Sequence, residues 1–172
     1  QYALDYEGYY CVNKASFVVH EDIEYIIGIL NSAVSWWLTQ RTFSGKQGGF
    51  YEFTQQYVSQ IPIPKPDDLS RSSIVNLVRA VVLRRDDPRL EQLLNGFVYE
   101  LFFKEDLHAR NLTLFAEAEK AGLGALSGLE GPALQDAAEQ FAATHLVPGA
   151  RLRTILSDIA TLDVVRIIEG RE

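Results

Sequence analysis

The sequence predicts an α+β fold: a small β-rich lobe containing one long helix, followed by a mainly helical C-terminal portion. Three observations predict it. The first twenty residues hold short aromatic and β-branched runs broken by turn residues; the stretch Ile23 to Leu38 is apolar at helical spacing; and beyond Lys104 the composition shifts to Ala, Leu and Glu.

Taken in order, Tyr2–Tyr6, Tyr9–Val12 and Ser16–His20 read as strands joined by tight turns at Gly8 and at Asn13–Lys14. Asp22 is placed to cap a helix in which Ile23, Ile26, Ile27, Leu30, Val34, Trp37 and Leu38 share one face. Trp37 is expected in the core and its neighbour Trp36 facing another domain. Thr42–Gly49 is a polar loop whose three glycines allow backbone geometries other residues avoid. Phe50–Phe53 alternates like a strand, and Thr54–Gln60 suits a short turn or helix. In Ile61–Pro66 each proline pushes its predecessor out of helical geometry, so the segment is extended and marks the best internal boundary.

Two helices should follow. Ser70–Arg85 aligns Ile74, Leu77, Val78, Val81 and Val82 in a stripe. Asp87 caps the next, with Pro88 at its first position and Leu90, Leu93, Leu94, Phe97, Val98, Leu101 and Phe102 as its apolar face. The short break between them predicts antiparallel neighbours. Further helices are expected over Leu107–Ala121, Pro132–Thr144 and Ala150–Ala160, with Gly122–Gly131 as a flexible connection and Val164–Ile168 as a last strand or helix end. The expected organisation is residues 1–66 as the lobe, 67–103 as a supporting helical pair, and 104–172 as a helical extension.

Composition narrows the function classes. Hydrophobic residues make up 47% of the 172, enough for a sizeable core. The net charge is -7, with segment nets of -2, -1 and -4 over residues 1–66, 67–103 and 104–172. A chain this acidic is no non-specific phosphate binder, because that affinity rests on Lys and Arg. Cys11 is the only cysteine, which excludes an internal disulfide framework and a cysteine-rich zinc site. No apolar run reaches the roughly 18 residues of a membrane span, and no signal peptide is visible, so the cytoplasm is the expected compartment and no membrane partner is expected. The sequence opens at Gln1 and holds no Met, which reads as a piece of a longer polypeptide.

A catalytic centre is not expected in this piece. Adenine methylation needs a glycine-containing cofactor loop and an Asn-Pro-Pro-aromatic tetrapeptide, and neither occurs. No acid is followed by Glu-x-Lys as in many metal-dependent nucleases. His20, His108 and His145 lack ligand-like spacing. Gly122, Gly124 and Gly128 have the wrong spacing for a phosphate loop. A free-standing hydrolase is therefore disfavoured.

Several features nevertheless occur in one order: Leu30-Asn31-Ser32, then Gly45-Lys46-Gln47-Gly48-Gly49-Phe50, then Tyr57-Val58-Ser59-Gln60-Ile61-Pro62-Ile63-Pro64, then Phe97-Val98-Tyr99-Glu100-Leu101-Phe102. Over residues 2–103 this set resembles the TaqI-like C-terminal specificity domain of N6-adenine DNA methyltransferases and type IIG restriction-modification enzymes. Type I specificity subunits look similar at this level. The resemblance implies a module that grips double-stranded DNA and reads bases. It also implies an upstream domain that methylates a flipped adenine with S-adenosylmethionine, and in type IIG enzymes a nuclease domain that would bring Mg. No cofactor is expected in the chain itself.

Under that resemblance the candidate DNA-binding residues are Arg41, Lys46, Gln47, Gly48, Gly49 and Tyr51. A glycine-rich loop lets backbone approach a duplex; Arg41 and Lys46 can reach phosphates; Gln47 offers an adenine edge both a donor and an acceptor. The competing reading is an ordinary connection with solvated charges. Tyr9, Tyr10 and Tyr51 either stack at the interface or belong to the core. Arg71, Arg79, Arg84, Arg85 and Arg89 either touch the DNA backbone or form a solvated helical face. A different class of function, a helical protein-interaction module of a phage-defence assembly, would suit the acidic tail.

Overall fold

Ten α-helices, one 3₁₀ turn and one two-stranded hairpin form the regular structure of the described residues, which are 2–8, 17–46 and 48–171 of a computed structural model. The helices are α1 (Ile23–Leu30), α2 (Ala33–Thr42), α3 (Gln55–Val58), α4 (Asp68–Leu83), α5 (Pro88–Phe102), α6 (Lys104–His108), α7 (Leu114–Lys120), α8 (Gly131–His145), α9 (Arg151–Ile159) and α10 (Asp163–Ile168). The strands β1 (Gly45–Lys46) and β2 (Phe50–Tyr51) pair antiparallel, Gly45 opposite Tyr51 and Lys46 opposite Phe50.

The chain is thus mostly helical, and a β-rich lobe is not what its described residues form. Tyr2–Tyr6 is not a strand because local and distant side chains take its backbone. Asn31 clamps Tyr2 from both sides, accepting from its N–H at 2.8 Å and donating to its carbonyl at 3.0 Å. Asp5 then accepts from the N–H groups of Glu7 and Gly8, at 2.9 Å each, closing a turn in place of a ladder. Phe17 to His20 is irregular too. The expected strand Tyr9–Val12, together with Ser16, lies outside the described residues.

The expected long helix is two. Asn31 and Ser32 interrupt it, and both side chains have other duties: Asn31 holds Tyr2, while Ser32 caps α2 by accepting from the Ser35 N–H at 3.3 Å. Asn95 on α5 accepts from the Ala33 N–H at 2.8 Å, satisfying a first-turn donor that has no partner within the helix. Consequently α1 buries Tyr25, Ile27, Ile29 and Leu30, rather than the single stripe that one continuous helix would present.

The prolines and aspartates behave as local chemistry dictates. Asp67 caps α4 through the Ser70 N–H at 2.8 Å, and Asp87 caps α5, which has Pro88 in its first turn. Ile61–Pro66 has no regular structure and crosses α1, where the buried Tyr25 hydroxyl donates to the Pro64 carbonyl at 2.7 Å. Burial pushes that hydroxyl up to about 12.

One hydrophobic cluster runs from Tyr25 on α1 through α4, α5 and α7 to Val165 on α10. At Gly28 α1 approaches α4 so closely that a Cβ would sit 2.9 Å from Cγ2 of both Ile74 and Val78. Phe97 of α5 is fully buried and stacks on Phe115 of α7, with ring centroids 4.4 Å apart. Glu100, also buried, is satisfied by the Phe115 N–H at 2.9 Å and by His108 Nε2 at 2.8 Å.

Three expectations over the helices need correction. Val82 is 42% exposed, so it lies off the buried stripe of α4. Leu107–Ala121 splits into α6 and α7 because Asn111 takes a left-handed conformation at φ 57°. Gly122–Gly131 is no simple connector, since a 3₁₀ turn at Leu123–Leu126 plants Leu123 and Leu126 in the core. Val164–Ile168 resolves as helix, in α10. No helix of the described residues is long and apolar enough to cross a membrane.

Candidate nucleic-acid interface

The hairpin stands on an aromatic base. Phe43, just past the end of α2, is buried and stacks on Tyr57 of α3 at 5.3 Å; Phe53, beyond β2, meets Phe43 edge-on at 5.2 Å and Tyr2 at 5.8 Å. Leu30, Phe43 and Ile61 form the buried centre of this second, smaller cluster. Sequence explains the arrangement: Ser32 starts α2, Phe43 ends it in extended backbone, and the chain emerges directly into β1.

Side chains alternate across the hairpin, as pleating requires. Tyr51 faces inward and meets the Trp36 indole edge-on at 5.5 Å. Lys46 and Phe50, directly opposite one another, share the other face, and Glu52 follows on that side. Lys46 Nζ lies 2.9 Å from Glu52 Oε2, and the Glu52 N–H continues the pairing to the Ser44 carbonyl at 3.0 Å. At the tip Gly48 and Gly49 have φ of 87° and 80°, values that strain any residue with a Cβ, so glycine is required to close this turn.

The structure brings four of the six expected site residues together. Lys46, Gly48 and Gly49 are exposed on the hairpin, and Tyr51, half-buried, joins it to α2. Arg41 lies in the last turn of α2, its guanidinium carbon 4.1 Å from the centre of the Trp37 ring. Arg41 and both tryptophans line an open cleft between α2 and the end of α10, and no hairpin residue lines that cleft. Gln47 lies outside the described residues, as do Tyr9 and Tyr10. Trp36 is 49% exposed and Trp37 half-buried at the cleft, not in the core.

Sequence reasoning passed over Phe50. Its signal was the Phe50–Phe53 alternation beside a glycine turn, which puts Phe50 on the face opposite Tyr51 and Phe53.

The helix arginines are engaged within the fold. Arg79 makes two bonds to Glu24, at 2.8 and 2.7 Å, and their joint effect holds the Glu24 carboxyl below the usual range, chiefly through the bond from Arg79. Arg71 pairs with Asp22, Arg84 with Asp86 and Glu139, and Arg89 with Asp87. Arg89 likewise lowers the Asp87 carboxyl, mainly by its side-chain hydrogen bond. Of the five arginines weighed as phosphate contacts, Arg85 alone forms no ion pair among the described residues.

No group of three or more His, Cys, Asp or Glu among the described residues is placed to hold a metal ion. The sheet of the described residues is a two-stranded hairpin, and Gly48 and Gly49 close its exposed turn.

The family model described as the TaqI-like C-terminal specificity domain matches residues 1–63, which hold α1, α2, the hairpin and α3. Over this segment the chain is similar to that specificity domain. No curated protein and no solved structure matches the chain.

Proposed function

We propose that the chain is a DNA sequence-recognition portion of a restriction-modification enzyme, and that it places an S-adenosylmethionine-dependent adenine methyltransferase domain, upstream in the same polypeptide, on its target site in double-stranded DNA. The single observation that carries the proposal is that the segment matching a specificity-domain family is also the one that projects the exposed hairpin Gly45–Tyr51.

The charge distribution supports a division of labour. With a net charge of -7, and with Arg71, Arg79, Arg84 and Arg89 already paired to carboxylates, the helical body has little to offer phosphates. Duplex affinity then comes from the partner domain, and the hairpin contributes choice of site. Lys46 and Arg41 position backbone, and the Gly48–Gly49 turn permits close approach.

Mapping N6-methyladenine in cells carrying the intact gene tests this. The expected result is methylation at one short sequence, with the site preference loosened or lost when the Gly45–Gly49 turn is rebuilt. A genome with all adenines unmodified contradicts the proposal. Methylation unaffected by the turn, together with stable capture of a protein through the helical portion, favours the interaction-module reading.

A further inference from the structure

Phe50 is a large apolar side chain held in the open. It is 72% exposed, and among the described residues no aromatic ring stacks on it. Its ring lies beside Gly48, where an added Cβ would meet it at 3.3 and 3.4 Å.

The neighbours of Phe50 make the outer face selective rather than sticky. Lys46, opposite Phe50, and Glu52, two residues on, share its face and pair with each other at 2.9 Å, so the apolar ring lies beside an ion pair. With that pair intact the face has no net charge, and Lys46 reaches a phosphate only by giving up Glu52. A two-stranded ribbon is also the size of object that the roughly 12 Å major groove admits. Within that groove the one apolar group on a base edge is the 5-methyl of thymine; every other recognition point is a donor or an acceptor.

We propose that the outer face of the hairpin enters the major groove and that Phe50 reads a thymine by resting on its 5-methyl group. This rests on the DNA-recognition reading above and adds to it a base type and a contacting residue. Insertion of Phe50 between base steps, as minor-groove wedges do, is the distinguishable alternative, because a wedge would be indifferent to that methyl.

Replacing thymine by uracil deletes the methyl and leaves base pairing intact. Duplexes are selected from a random-sequence pool with the intact protein, then resynthesised with deoxyuridine at each thymine in turn. At one position the wild-type protein should bind about fourfold more weakly, the value of one buried methyl-sized group. The F50A protein should bind the thymine and uracil forms equally. Exposure of the ring makes F50A a substitution the fold tolerates, and an unchanged urea midpoint checks this. If uracil is neutral at every position, or if F50A still discriminates, the Phe50 proposal is overturned while DNA recognition survives. If selection yields no preferred duplex at all, the DNA-recognition reading falls, and this proposal with it.

Discussion

The two hydrophobic clusters of this molecule are built differently. The large one joins α1, α4, α5 and the helices beyond them around fully buried residues such as Ile74, Leu77, Leu93, Phe97 and Ile155. The small one has three buried residues, Leu30, Phe43 and Ile61, ringed by partly buried aromatics, and the hairpin rises from it. The first is where stability resides. The second fixes a position: its edge-on ring contacts orient Tyr51 and the strand that carries it while leaving Phe50 and Lys46 in solvent. Binding surfaces on mobile connections carried by a rigid scaffold follow this division in general.

Substitutions on the two sides should therefore separate stability from binding. The largest effect is expected from Phe97→Ala, which empties a fully buried site stacked on Phe115 and should cost about 3–5 kcal/mol in urea unfolding. The order of preference among duplexes, measured on whatever remains folded, should be unchanged. A loss under 1 kcal/mol would show that the large cluster is not the seat of stability.

A smaller effect is expected from the Glu24–Arg79 pair, which joins α1 to α4. The Glu24 carboxyl is lowered in the folded state, so the pair's contribution is fully present above the unfolded carboxylate value of about 4.3 and is lost as pH falls through the folded value. Arg79 is 41% exposed, so the contribution is about 0.2–1 kcal/mol. Glu24→Gln should lower stability by that amount at pH 7 and flatten the acid limb of a stability-against-pH curve. An unchanged acid limb would count against the pair.

The smallest effect on stability, within about 0.5 kcal/mol, is expected from Lys46→Ala on the exposed hairpin. Its effect should appear in binding instead. If Lys46 exchanges Glu52 for a phosphate on the duplex, the slope of log affinity against log salt should fall by about one. An unchanged slope with unchanged affinity would remove Lys46 from the interface.

What was legible in the sequence was local. Asp67 and the Asp87–Pro88 pair announced the starts of α4 and α5 because a cap needs only the next few backbone N–H groups. The lack of helix over Ile61–Pro66 was equally plain from its prolines. What was not legible depended on distant partners. The break at Asn31–Ser32 is fixed by Tyr2 and by Asn95, 29 and 62 residues away from the groups they bond. Tyr2–Tyr6 has strand-like composition, yet Asn31 and Asp5 satisfy its backbone before any ladder can. At the interface, the glycine turn was readable because Gly48 and Gly49 permit geometries that nothing else does. The facing of Phe50 required the register that pairs it with Lys46.

Amide hydrogen exchange with and without a duplex chosen by selection tests the central claim most directly. The account predicts that duplex slows exchange at Gly48, Gly49, Phe50 and Tyr51 while α8 and α9 exchange as before. Protection concentrated on α8 and α9, with the hairpin amides unchanged, would contradict it.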